Sequence, residues 1–254
     1  MTVNTPPGQL AFDLAEALRH LSERDERLKQ LIAEMVPFEI DVADQQSPYE
    51  VLLESIAYQS ISGKAAATIY GRIKVLGENG RPPTPEAMLK IPGRKLRKAG
   101  LSGAKVLAMK DLAKKAIEGI VPRHDEALLL SDQELVERLV SVRGIGAWTV
   151  EMFLIFRLGR PDVLPIHDLG VKKGWSVAYG KKHMPTPKEL LKFGERWRPY
   201  RTVASWYMWR AFERAGYKTT NKIRPRAARK KKKAGRAKQA GKRARKIVAR
   251  RRSK

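Results

Sequence analysis

Apolar residues recur along this chain at three- and four-residue steps, and the alternation that would mark a strand is nearly absent. Phe12, Leu14, Ala15, Leu18, Leu21, Leu28 and Leu31 trace one amphipathic stripe, predicting a helix over about 10–34 that Pro37-Phe38 breaks. Ser47-Pro48-Tyr49-Glu50 reads as a capping box with proline at the first helical position. The helix it opens, about 48–60, carries Val51, Leu52, Ser55, Ile56 and Tyr58 on one face. Further helices are expected at about 63–77, 85–90, 93–99 and 103–118, with a loop over 80–85, Pro92-Gly93 between the short pair and Gly119 as a stop. Ser131 caps a helix to Val140. A second helix, 147–158, is apolar nearly all round and so belongs inside the fold. Helices at about 169–179, 187–196 and 200–215 complete an all-α body that ends near Asn221.

Between the helices that end at Val140 and begin at Ala147 lies Ser141-Val142-Arg143-Gly144-Ile145-Gly146. Two glycines around one isoleucine let the backbone turn tightly and approach another surface. Gly-x-Gly alone also describes an ordinary corner between helices. Leu139 and Val142 sharpen the reading, because they supply the apolar contacts that close a hairpin over about 139–150, with Ile145 plugged into the core. The turn's backbone N–H groups, at the mouth of the next helix, then suit a phosphate oxygen.

Charge supports a polyanionic partner. The net charge is +26 over 254 residues, but it is unevenly placed. Residues 222–254 hold 18 Lys/Arg and no acid, leaving 34 basic and 26 acidic side chains in residues 1–221, a net of +8. The chain therefore divides into a helical domain, 1–221, and a Lys/Arg-rich tail, 222–254, whose composition predicts disorder when free. Nucleic acid is the expected partner and a membrane is not. The absence of cysteine excludes disulfides, a thiol nucleophile and Cys-held zinc or iron–sulfur clusters. The four histidines show no metal-ligand spacing, and neither a signal pattern nor an apolar run of membrane length is present. A soluble intracellular protein is expected.

Beyond the hairpin, Leu158-Gly159-Arg160-Pro161-Asp162-Val163-Leu164-Pro165 leads to Asp168-Leu169-Gly170, which sets one carboxylate at a helix mouth. Together with Val142-Arg143-Gly144-Ile145-Gly146-Ala147-Trp148-Thr149-Val150, this text resembles the helix–hairpin–helix DNA glycosylases, specifically the 3-methyladenine DNA glycosylase II (AlkA-like) branch. Upstream, Tyr58-Gln59-Ser60-Ile61-Ser62 is similar to the family's lesion-probing loop; downstream, Trp197-Arg198-Pro199-Tyr200-Arg201 through Trp209-Arg210 resembles its closing helix. The likeness covers about residues 35–215, which leaves no room for the extra N-terminal β-rich domain of some members.

The resemblance implies two helical subdomains with the active site in the cleft between them, acting on double-stranded DNA with alkylated bases. It makes Asp168 the catalytic carboxylate, stabilising positive charge on the sugar and orienting a water as the N-glycosidic bond breaks. Read alone, Asp168 is equally a helix N-cap, and the two roles are compatible. His167 beside it is read as structural. Members that also cut the backbone carry a lysine where this chain has Trp148, so base removal without lyase chemistry is implied. An aromatic face there suits cationic bases such as 3-methyladenine and 7-methylguanine, by about 0.5–2 kcal/mol. Tyr58, Tyr200 and Trp206 are weaker candidates for the pocket wall.

Val142, Gly144, Gly146, Ala147 and Thr149 are the expected contacts to the DNA backbone, and Gln59, Ser60 and Ile61 the candidates to fill the gap left by a flipped base, Ile61 being the bulkiest. Glu151, the lone acid of the apolar helix, either lines the site or, as the structural reading prefers, pairs with an arginine. No cofactor is required and no metal is expected; whether a monovalent cation sits in the hairpin stays open. The tail would add salt-sensitive affinity without sequence preference. A monomer is expected, in the cytoplasm with the nucleoid or in the nucleus according to source. Two rivals remain: a DNA-binding or compaction protein without catalysis, and a glycosylase for another lesion.

Overall fold

The computed structural model describes residues 10–40, 42 and 46–217, and it is helical throughout those residues. The chain divides into Met1–Lys222 and Ile223–Lys254; the second unit, with the predicted tail, lies outside the described residues. No helix is long and apolar enough to cross a membrane among the described residues.

The expected first helix is two. Helix α1 (Leu14–Arg24) ends and α2 (Glu26–Glu34) begins at Asp25, whose extended backbone (φ −147°, ψ 97°) breaks the spiral. The break keeps the apolar phase, since Leu21 and Leu28 are both fully buried. Next come α3 (Pro48–Tyr58), α4 (Gly63–Lys74), α5 (Pro85–Lys90), α6 (Gly93–Lys98) and α7 (Gly103–Ile117). The capping box at Ser47 and Glu50 forms as predicted, and a second one joins Ser131 to Glu134. A short helix, α8 (His124–Leu129), was not anticipated; it buries only Ala127, too little to leave a periodic signal. Then follow α9 (Asp132–Val140), α10 (Ala147–Phe156), α11 (Leu169–Ala178), α12 (Pro187–Gly194), a 3₁₀ turn (Glu195–Trp197) and α13 (Arg201–Arg214).

The main packing partners fall into two sets. Helices α1, α2, α11 and α13 pack on one another with the 3₁₀ turn and α12. Helices α3, α4, α5, α6 and α7 form the other set, which α10 joins through α3 and α9. The chain thus starts in one set, builds the second, and returns through α10 to the first. Its return passes over residues 157–168, pinned to α13. There Thr202 donates Oγ1–H to Arg160 O (2.6 Å) and accepts from Val163 N (3.0 Å), while Arg201 forks onto Asp162 (2.6 and 3.0 Å). What this segment delivers, at the junction of the two sets, is Asp168.

Candidate active site

Asp168 caps α11: its Oδ1 accepts from Val171 N at 2.8 Å. Oδ1 also accepts from Trp209 Nε1, and Oδ2 from Trp148 Nε1, each at 2.8 Å. Trp148 belongs to α10 and Trp209 to α13, so one carboxylate ties together helices of both sets. The cap and the candidate catalytic group are the same residue. An ionised carboxylate offers about four acceptor positions. Three are filled, two on Oδ1 and one on Oδ2, so the position left to a water or a sugar lies on Oδ2. The carboxylate is 8% exposed, while its neighbours His167 and Leu169 are exposed.

Gly170 shows why the motif reads Asp-x-Gly. A Cβ there would come within 2.8 Å of the Trp209 ring and 3.1 Å of Asp168 Oδ1. Glycine makes room for the indole to reach the carboxylate. Trp209 was quoted in the sequence only as part of a closing helix; its role depends on the register of α13 and had no local signal. Its ring stacks on Phe156, with centroids 5.6 Å apart.

Trp148 is 38% exposed although its N–H is tethered, so its face stays open beside the carboxylate. The other wall candidates are elsewhere. Tyr58 packs edge-on to Tyr70. Tyr200 lies against Phe12 and His20; Trp206, only 4% exposed, lies against Phe38 and under the Arg210 guanidinium. None of these contacts brings the three to Asp168.

In the hairpin Ile145 is buried as expected, and Leu139 and Val142 with it. Gly144 turns at φ 79°, a conformation that glycine takes without strain. Gly144, Gly146 and Ala147 are exposed. The side chains of Val142 and Thr149 face inward instead, and Thr149 N bonds back to Gly146 O. No side chain caps α10, which leaves the donors of its first turn open to a ligand. From α7, Asp111 accepts from Arg143 N (2.7 Å) and from Lys115, whose ammonium also donates to Ser141 O.

The probe loop is tied to this hairpin. Gln59 Nε2 donates to Gly144 O at 2.8 Å, and Lys105 donates to Ala57 O and Gln59 O at 2.9 and 2.7 Å. Ser60 stands exposed at the tip with φ 55°, a strained setting for a residue with a Cβ. Ile61 is half-buried behind it.

Glu151 departs from the expectation of an arginine partner. Its Oε2 is buried with no hydrogen-bond partner, and it makes no ion pair among the described residues. Burial, with the Asp168 charge adding to it, pushes its carboxyl up to about 7. Among the described residues no group of His, Asp and Glu is arranged to hold a metal ion.

Residues 53–199 match the family described as HhH-GPD superfamily base excision DNA repair protein. The DNA-3-methyladenine glycosylase 1 of Schizosaccharomyces pombe is 37% identical over 218 residues, covering 85% of this chain and 95% of that protein. A solved structure of a 3-methyladenine DNA glycosylase from that yeast, in complex with abasic DNA, superposes with a TM-score of 0.71 at 38% identity, covering 80% of this chain and all of that one. A DNA-3-methyladenine glycosidase from Bacillus halodurans gives a TM-score of 0.72 at 30% identity, over 85% and 94% of the two chains.

Proposed function

Because the chain belongs to the HhH-GPD superfamily of base excision DNA repair proteins, we propose that it removes alkylated bases from double-stranded DNA by hydrolysis, leaving an abasic site. The observation that carries this reading is Asp168, held ready by two indoles and a backbone N–H at the junction of the helix sets. A binding or compaction protein has no use for such a carboxylate.

The hairpin and the first turn of α10 take the DNA phosphates through backbone N–H groups. The damaged nucleotide swings out of the stack, at a cost of a few kcal/mol, and Ser60 at the loop tip leads into the gap. The exposed face of Trp148 attracts a cationic base. As the bond from C1′ to the base breaks, positive charge develops on the sugar and Asp168 stabilises it. The acceptor position left on Oδ2 holds the water that adds to C1′. With an indole at position 148, no amine is placed there to form a Schiff base, so the reaction stops at base removal.

A monovalent cation at the hairpin is compatible with the residues present. Val142 O and Gly144 O accept from Ile145 N and Gln59 and each keep a second lone pair that would hold it. Such a cation would add positive charge beside a DNA phosphate. The basic tail adds salt-sensitive attraction, and the enzyme works as a monomer where the DNA is, in the nucleoid or the nucleus.

Incubation with methylated duplex DNA tests the reading. Release of 3-methyladenine and 7-methylguanine is expected, and no covalent adduct on borohydride treatment. No base release from methylated DNA would overturn the function, and a trapped adduct would overturn the monofunctional mechanism.

A further inference from the structure

Helix α10 is buried on every side but one. Past its first residue, Ala147, only Trp148 and Glu151 reach solvent before the helix ends at Phe156. They are three residues apart and so share a face. Trp148 on that face donates to Asp168, and the Asp168 charge acts on Glu151. One edge of α10 therefore presents an indole and a second carboxyl toward the catalytic carboxylate. The two acids are furnished in opposite ways. Asp168 receives three N–H donors, while Glu151 Oε2 is buried and receives none. A carboxylate surrounded by donors keeps its charge; one without donors in a desolvated place keeps its proton.

We propose that Glu151 is the general acid of this site and extends base removal to neutral purines, such as the deaminated base hypoxanthine. The inference rests on the base-excision reading above. A cationic alkylated base leaves as a neutral molecule and needs no proton. A neutral purine would leave as an anion, which is a much poorer leaving group. For such a base the bond between C1′ and N9 breaks with its electron pair going to the purine. The Glu151 O–H proton moves to a ring nitrogen of that purine. Water adds its oxygen to C1′ beside Asp168 and releases a proton to solvent, from which Glu151 is reprotonated.

The charged groups around Glu151 agree with this assignment. The helices packed on α10 carry Glu50 and Glu54 on α3, and Asp132, Glu134, Glu137 and Arg138 on α9. These are engaged elsewhere or distant, and Asp168 is the charge that bears on Glu151. No cation offsets it. Loss of the proton as pH rises past about 7 should switch off the acid while Asp168 stays ionised.

The test compares single-turnover release of hypoxanthine and of 7-methylguanine from otherwise identical duplexes, between pH 5.5 and 9, by the full chain and by Glu151→Gln. With the wild type, hypoxanthine release should fall about tenfold per pH unit above about 7. Release of 7-methylguanine should not share that limb. In Glu151→Gln the ratio of hypoxanthine to 7-methylguanine release at pH 6 should drop about 100-fold, and its pH limb should disappear. An unchanged ratio, a limb kept by the glutamine variant, or equal loss of both activities would overturn the proposal. So would a wild type that releases 7-methylguanine but no hypoxanthine at pH 6, an outcome that leaves the base-excision reading standing. Should the variant not fold, the two wild-type pH profiles decide: parallel profiles overturn the general acid.

Discussion

Asp25 and Asp168 are the same device built twice. Each caps a helix with an extended backbone, each accepts the N–H three residues on, and each takes two aromatic donors from distant helices. For Asp25 these are Leu28 N, the Tyr179 hydroxyl at 2.6 Å and Trp197 Nε1 at 2.9 Å. For Asp168 they are Val171 N and the indoles of Trp148 and Trp209. Both carboxylates are nearly buried, at 5% and 8% exposed. The difference lies in what stands behind the donors. Trp197 is fully buried and packs edge-on to Phe193, which sits on Tyr179, so the Asp25 site is sealed. Trp148 is open on one face and Glu151 adjoins it. Hydrogen-bonding pattern alone does not mark a catalytic carboxylate; the open neighbour does.

Substitutions at the two sites should therefore separate cleanly. Asp168→Asn keeps a side-chain cap but removes the charge, and base release should fall by about 10²–10⁴-fold with DNA binding retained. Single-turnover assays and binding titrations measure the two. Asp25→Ala should do the reverse. Losing the cap and stranding two buried donors should cost about 3 kcal/mol and lower Tm by roughly 6–12 °C, with activity of the folded protein within a few-fold. A Tm unchanged by that substitution would break the comparison.

Glu151→Gln sharpens it through stability. The carboxyl is raised in the folded protein to about 7 from an ordinary 4.5, so its proton is favoured by folding. That favour is full below about pH 4.5 and is lost as pH rises through 7. The glutamine variant should then gain on the wild type by up to about 3 kcal/mol at pH 8 and by little at pH 4.5, seen as diverging melting curves. A smaller effect is expected from Trp148→Phe. It keeps an aromatic face and removes one donor to Asp168, which should slow base release about tenfold with little change in Tm.

Much of this was legible along the chain. The serine caps at 47 and 131, the apolar helix at 147 and the hairpin plug at Ile145 are local features, and they stand where the spacing put them. Asp25 was hidden because seven residues separate Leu21 from Leu28, a spacing that an unbroken helix and a capped break serve equally well. Trp209 was hidden because its partner lies 41 residues away. Glu151 drew notice as an acid among apolar residues, but only packing shows that no arginine answers it. Trp206 had the right residue type, yet α13 turns it toward Phe38.

The bond from Gln59 to the Gly144 carbonyl has a thermodynamic consequence. Two segments that must both meet DNA, one at the backbone and one at the base stack, are ordered against each other before any duplex arrives. Their conformational entropy is given up once, during folding, and not again at every base pair inspected. A protein that tests long stretches of undamaged DNA gains from this with each encounter, because neither segment has to be arranged anew.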